Sequence, residues 1–271
     1  MWRENKAELI REIETLNDKE MIAMGQCGFI MNLGHIKLAI DLIISDLYYN
    51  GTNISRRAVK PPFEIDEMPN IDYILVSHEH RDHLDKALIE KLAERRKPCK
   101  VIAPRHILSS LDIPSSLKIA LHDYECYRDK DVTITPIPVP HMEYRYSAKD
   151  YSEFYGYIIS YGKLRLFHGG DLISSDILLE DLRKEAPLNY LFLPINGRDK
   201  EREAKGIVGN MDEKEAIKLA LDLRASNLIP THFDLFKENG ADPAVFENLA
   251  KGRIKTLIPV PGKKYLLNAE S

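Results

Sequence analysis

Several kinds of residue and pattern are scarce in this 271-residue chain, and each scarcity removes a class of function. There are only three cysteines, Cys27, Cys99 and Cys126. Their wide spacing forms neither a disulfide framework nor a CxxC metal clip, as expected of a protein in the reducing cytoplasm. No apolar run approaches the roughly 20 residues that a membrane-spanning helix needs, so no membrane association is expected. Basic residues are in slight deficit, 38 Lys and Arg against 42 Asp and Glu, and a net charge of -4 offers no field for a nucleic-acid backbone. The opening stretch, MWRENKAELIREIETLN, lacks the apolar centre and small-residue cleavage site of a signal peptide. No repeat, low-complexity tract or shift in composition divides the chain, so a single domain over residues 1–271 is expected.

What is present is an ordinary supply of core residues, 44% hydrophobic against 30% charged, arranged in alternating helical and extended patterns. Within residues 1–20, Leu9, Ile10, Ile13 and Leu16 fall on one face of an amphipathic helix that is expected to face the core. Residues 21–32 and 35–44 read as two strands joined by a turn at Leu33-Gly34, with Gly25 and Gly28 marking a close backbone approach or a tight bend. Residues 46–70, polar and holding Pro61, Pro62 and Pro69, read as a long surface loop. Further strands are expected at 73–76, 101–103, 132–139, 155–161, 164–167, 190–193, 227–230 and 264–267. Helices are expected at 86–96, 176–184, 212–224 and 243–251. The fold class is mixed α and β.

Chemistry concentrates in Ser77-His78-Glu79-His80-Arg81-Asp82-His83-Leu84-Asp85, directly after the strand at 73–76. Three imidazoles beside carboxylates at a strand end make a dense set of nitrogen and oxygen ligands. In extended backbone His78 and His80 point to the same side and reach one ion, and a turn at Arg81 would bring Asp82 and His83 to a second. Two ions roughly 3.5–4 Å apart clamp and activate a hydrolytic water. The remaining ligands are available at other strand ends: His141 in Pro140-His141-Met142, Asp171 in His168-Gly169-Gly170-Asp171, and His232 in Pro230-Thr231-His232. Five of the nine histidines occupy these motif positions, a clustering that an ordinary surface does not produce. His35, His106, His122 and His168 carry no motif and are assigned to structure.

The pattern HxHxDH, a later His, a later Asp and a final His resembles the metallo-β-lactamase superfamily, from about residue 23 to 266. That resemblance implies a four-layer αββα sandwich of two mixed β-sheets with a metal site along one edge. It implies two divalent ions per chain: His78, His80 and His141 would hold the first, Asp82, His83 and His232 the second, and Asp171 would bridge them. Asp82 and Asp171 would be the carboxylates closest to the reaction. Gly25-Gln26-Cys27-Gly28-Phe29, the DHLD of Asp82–Asp85, PINGRD at 194–199, GNM at 209–211 and PTHFDLF at 230–236 are similar to the UlaG-like branch, which includes a manganese-dependent L-ascorbate-6-phosphate lactonase. Leu172 departs from that branch, where Thr or Ser is common. Imidazole ligands suit zinc on chemical grounds, whereas the lactonase resemblance favours manganese.

The implied function is a metal-dependent hydrolase that uses a metal-bridging hydroxide to open a lactone of a sugar acid phosphate. A phosphodiesterase of the same superfamily is the alternative, and a non-enzymatic metal-binding protein a distant one. The expected partner is a small anionic substrate, a phosphorylated or carboxylated sugar derivative, and relatives often form homo-oligomers. Arg198 is the candidate anion clamp, with Asn196 and Asn210 as further substrate contacts. Tyr144-Arg145-Tyr146 either lines a pocket or forms an exposed loop. Asp41 either orients ligands or forms a turn, Asp85 caps the helix at 86–96, and Cys27 is a small buried hydrophobe.

Overall fold

Most of the expected strands are apolar at successive positions, so both faces need cover and the strands must lie inside a layered structure. The computed structural model, which describes residues 5–45, 57–58 and 60–269, covers both faces. In the first half the chain forms α1 (Lys6–Glu14), β1 (Glu20–Gly25), β2 (Gly28–Leu33), β3 (Ile36–Ile40), β4 (Tyr73–Leu75), α2 (Lys86–Ala93), β5 (Lys100–Ile102), α3 (Arg105–Ser110) and β6 (Lys118–Ile119). Next come β7 (Tyr127–Asp129), β8 (Val132–Pro138), β9 (Tyr146–Ala148), β10 (Tyr151–Ser152), β11 (Tyr155–Tyr161), β12 (Leu164–His168) and α4 (Asp176–Lys184). The chain closes with β13 (Tyr190–Pro194), α5 (Lys200–Ala204), α6 (Glu213–Asp222), β14 (Asn227–Thr231), α7 (Pro243–Ala250), β15 (Lys255–Thr256) and β16 (Lys264–Leu266).

Two seven-stranded mixed sheets result, ordered β16-β1-β2-β3-β4-β5-β6 and β15-β14-β13-β12-β11-β8-β7, with β9 and β10 forming a small hairpin beside them. Alternation along each strand assigns the layers. Met21, Phe29 and Leu38 of the first sheet meet Tyr157, Leu166 and Phe192 of the second in the central core. Their sequence neighbours Ile22, Ile30 and Ala39 join Leu9 and Ile13 of α1, Leu88 and Leu92 of α2, and Ile107 of α3. On the opposite side Ile158, Phe167 and Leu191 join Leu178 of α4, Ile217 of α6 and Phe246 of α7. The order is therefore αββα, as the motif pattern implied. Each fully buried Leu, Ile or Phe in these layers contributes about 1.5–3 kcal/mol of transfer free energy. The amino-terminal helix is core-facing as expected, and the Asn5 side chain caps it by accepting from Glu8 N–H. Among the described residues no helix is long and apolar enough to cross a membrane.

One expected element divides in two. The run at 21–32 is a hairpin, because Gly25 (φ +87°) and Gln26 (φ +53°) turn the chain left-handedly and β1 pairs antiparallel with β2. The next hairpin lies where expected: Leu33 pairs with Ile36 across Gly34-His35, and Gly34 takes φ +67°. Of the loop expected at 46–70, residues 46–56 and 59 lie outside the described residues.

Strand direction fixes where the chemistry gathers. β3, β4 and β5 run parallel in the first sheet, as do β12, β13 and β14 in the second. β8 and β12 both pair antiparallel with β11, so β8 shares their direction. The chain leaving the carboxyl ends of β3, β4, β8, β12 and β14 carries Asp41, Ser77–His83, His141, Asp171 and His232, and such ends are where layered α/β proteins place ligands.

Candidate metal centre

After β4 the chain leaves the sheet and turns at once: the N–H groups of His83 and Leu84 both donate to the His80 carbonyl at 2.9 Å. This turn folds His83 back beside His78, with ring centroids 4.2 Å apart. Asp171 arrives through Gly169-Gly170. Gly170 has φ +63°, and a Cβ there would stand 2.7 Å from the Ser77 Cβ, so only glycine lets the two loops approach this closely. His232, at φ +60°, is pinned by its own N–H donating to the Gln26 carbonyl at 3.1 Å.

Seven sequence-predicted residues converge. Asp171 Oδ1 lies 3.1 Å from His83 Nε2 and 3.3 Å from His232 Nε2, while Oδ2 lies 3.7 Å from His78 Nε2 and 3.6 Å from His141 Nε2. Its two oxygens thus face two different groups of imidazoles. Asp82 Oδ2 completes the second group at 3.2 Å from His232 Nε2 and 3.8 Å from His83 Nε2. In the first group the His80 and His141 rings lie 5.2 Å apart, and a His78, a His80 and an Asp171 donor atom lie within 4.8 Å of one another. Phe154 walls this group off, stacking on His78 at 5.0 Å. His78, His83, His141, Asp171 and His232 are buried, whereas His80 and Asp82 are half-buried and form the open side.

The donor chemistry fits divalent ions. Nε2 of His78, His83, His141 and His232 and Oδ1 of Asp171 are buried without a hydrogen-bond partner, a concentration of unmet polar atoms that a folded protein keeps for a ligand. The opposite ring nitrogens of His78 and His83 are committed. Asp41, fully buried at φ +44°, accepts from Ser77 N–H at 2.8 Å, from the Ser77 hydroxyl at 2.7 Å and from His83 Nδ1 at 2.8 Å. Because the Ser77 proton goes to Asp41, the 2.9 Å contact between Ser77 Oγ and His78 is donated by His78 Nδ1–H. Both imidazoles therefore present Nε2 toward Asp171 as the nitrogen left for an ion, the relay by which outer carboxylates orient metal-binding histidines. Gln26 Nε2 holds Asp82 Oδ2 at 2.8 Å.

Electrostatics divide the cluster in the same way. Burial pushes His78 down well below the usual imidazole range, and burial lowers His141 to about 4. Burial also opposes charge on His83 and His232, but nearby carboxylates outweigh it: Asp171, Asp41 and Asp82 lift His83 well above its ordinary value, and Asp171 and Asp82 lift His232 to about 9. Burial would raise the two carboxyls, yet His83 and His232 hold both Asp82 and Asp171 below the carboxylate range. Without metal the second group keeps protons that an ion must displace.

Comparison with known proteins shows the family of the chain. The sequence profile of the beta-lactamase superfamily domain matches residues 49–233. The chain belongs to this superfamily. A UPF0173 metal-dependent hydrolase of Pyrococcus furiosus is 26% identical over 238 residues, covering 85% of this chain and 96% of that one. Two solved structures share the superfamily fold. Igni18, a metallo hydrolase of Ignicoccus hospitalis, has a TM-score of 0.67 at 20% identity over 91% of this chain and 97% of its own. An isothiocyanate hydrolase from Delia radicum gut bacteria has a TM-score of 0.71 at 14% identity over 91% and 98%.

The expected substrate residues are placed differently from the ligand residues. Arg198 is not a free anion clamp: its terminal nitrogens form a bidentate pair with Glu215 at 2.7 Å each, and Nη1 also donates to the Asn210 carbonyl at 2.9 Å. Asn196 and Asn210 are buried and joined to each other, Asn210 Nδ2 donating to Asn196 Oδ1 at 3.1 Å, and Asn196 Nδ2 continues to Asn239 at 2.9 Å. Met211 N–H then donates to the Leu172 carbonyl at 3.0 Å, so this loop braces the backbone next to Asp171. Leu172, the departure from the branch pattern, is buried in the outer apolar layer. Tyr144 bonds to Ser175 at 3.0 Å, Arg145 pairs with Glu153, and Tyr146 is exposed.

Other supports carry more than their sequence roles suggested. Asp85 caps α2 through Leu88 N–H and also accepts from Ile44 N–H, Ser45 N–H and the Ser45 hydroxyl. His168, assigned to structure, ties the two halves of the site together: Nε2–H donates to the Cys27 carbonyl at 2.8 Å, and Nδ1 accepts from Gly170 N–H at 3.3 Å. Ser77 and Gln26 stand inside the motifs at 77–85 and 25–29, but nothing local in the sequence points to their support roles.

Proposed function

We propose that this superfamily member is a metal-dependent hydrolase that holds two divalent ions and cleaves an ester-type bond in a small anionic substrate. A lactone of a sugar acid phosphate is the first class to assay. The observation that carries the two-ion reading is the division of Asp171, one oxygen toward His83 and His232 and the other toward His78 and His141. The lactone reading rests on the resemblance of the motifs at 194–199 and 209–211 to the branch that includes the lactonase.

In this reading His78, His80, His141 and Asp171 hold one ion, and Asp82, His83, His232 and Asp171 the other. When bound, such a pair lowers the pKa of water toward neutrality and polarises the substrate oxygen. The chain's own residues do the rest. Asp41 and Ser77 hold the His78 and His83 rings in the tautomer that leaves Nε2 free, and Phe154 keeps water from the back of the first group. Asp82 is half-buried on the open side and held ionised, so its carboxylate is ready to hold an ion at the mouth of the site. With Arg198 engaged by Glu215, recognition of the substrate's negative charge falls to the metal centre itself. The test is turnover by chelator-stripped protein reloaded with manganese or zinc, against sugar-phosphate lactones and a generic phosphodiester. Metal-restored lactone opening supports the reading, and phosphodiester cleavage alone transfers it to the phosphodiesterase alternative.

A further inference from the structure

Cys27 was expected to be a small buried hydrophobe, and Cys99 behaves in that way, lying in the outer apolar layer with Leu88 and Leu92 of α2. Cys27 has different surroundings. It sits in the β1–β2 turn, fully buried, with its sulfur, a ring nitrogen of His83 and a carboxylate oxygen of Asp171 all within 4.8 Å of one another. Two of the unmet atoms of the site belong to these neighbours: His83 Nε2 and Asp171 Oδ1 are buried and lack a hydrogen-bond partner. The turn is held from three sides. His168 donates to the Cys27 carbonyl, Gln26 N–H donates to Asp234 at 2.7 Å, and His232 N–H donates to the Gln26 carbonyl.

From this geometry we propose that Cys27 is a further ligand of the centre, a thiolate shared with the ion that His83 and Asp171 hold. The inference rests on the metal-centre reading above and adds a sulfur donor to it. In a tetrahedral site, bonds of about 2.3 Å from zinc to sulfur and about 2.0 Å to nitrogen set the two donor atoms about 3.5 Å apart, so a cluster whose atoms lie within 4.8 Å of one another closes by no more than about 1.3 Å on binding. Coordination replaces the S–H proton, which leaves to solvent. The consequence is selectivity. A site of imidazole and carboxylate alone accepts manganese readily, whereas a thiolate favours a softer ion such as zinc.

The test uses the full chain, stripped with chelator and titrated with cobalt(II) while its absorption spectrum is recorded. The expected result is visible d–d bands together with a near-ultraviolet thiolate-to-cobalt charge-transfer band. C27S and C27A should each keep the visible bands and lose the near-ultraviolet one. In competition titrations both should lower the preference for zinc over manganese by about tenfold or more. Visible bands without charge transfer in the unaltered chain would overturn the ligand role of Cys27 and leave the metal centre standing. A charge-transfer band that persists in both variants would assign the sulfur to another cysteine and also overturn it. Absence of any cobalt bands would overturn this inference and the metal-centre reading together.

Discussion

Replacing Asp41 by Asn changes almost nothing in size and should still loosen the metal centre. The carboxylate accepts three short hydrogen bonds in full burial, from Ser77 N–H, the Ser77 hydroxyl and His83 Nδ1. An amide has one accepting oxygen, so at least one of these donors would meet an NH2 group. Hydrogen bonds to a charged acceptor contribute about 1.5–3 kcal/mol each, and a donor left facing a donor adds a desolvation cost, so a loss of about 2–4 kcal/mol in urea unfolding is expected. The more specific effect is on metal. With its Nδ1 partner weakened, His83 is freer to rotate and to change tautomer, and loss of an outer carboxylate typically weakens metal binding about 10–100-fold. Competition against a chromophoric chelator measures this directly. Ser77→Ala, which leaves the Asp41–His83 contact in place, should give a smaller loss. An Asp41→Asn protein that folds and binds both ions with unchanged affinity would refute the relay from Asp41 through His83 and Ser77.

Metal affinity should rise with pH from 6.5 to 9, because His83 and His232 hold protons in the metal-free protein and must release them. Calorimetry at pH 7.5 in buffers of different ionisation enthalpy should show about one to two protons released per chain loaded, and no release would contradict the charge pattern. In the metal-free protein the folded His232 value of about 9 exceeds the ordinary imidazole value of about 6.5, so its stabilisation is complete below about 6.5 and is lost as pH rises through 9. His141, lowered to about 4, acts in the opposite sense and costs stability as pH falls from 6.5 toward 4. Thermal melts of chelator-treated protein should therefore decline on both sides of a maximum near neutrality. Arg198→Ala should lower the melting temperature by a few degrees, since its ion pair is about one-third exposed, and leave metal content unchanged. A large rise in KM with unaltered stability would instead restore Arg198 as a substrate contact.

How much was legible in advance follows from how local each signal is. Strands buried on both faces announce themselves by continuous apolar runs, and the helix expected at 176–184 coincides with α4, whose Ser175 cap is a local feature of the chain. The division of 21–32 was hidden because its turn places a non-glycine, Gln26, at positive φ between two glycines. At the site, the ligand types were readable because imidazoles crowd one short motif. Their supports were not, since Gln26 reaches Asp82 across 56 positions and Asp41 reaches Ser77 across 36. The ion pair of Arg198 is hidden for the same reason, because its partner Glu215 lies 17 positions away on α6, where no loop motif points to it.

Metal stoichiometry of the unaltered chain and of Asp171→Ala, measured by elemental analysis after reloading with zinc or manganese and desalting, tests the central claim most directly. The account predicts about two ions per chain, falling to one or fewer when the carboxylate that faces both histidine groups is removed. Two ions retained by Asp171→Ala, or none bound by the unaltered chain, would contradict it.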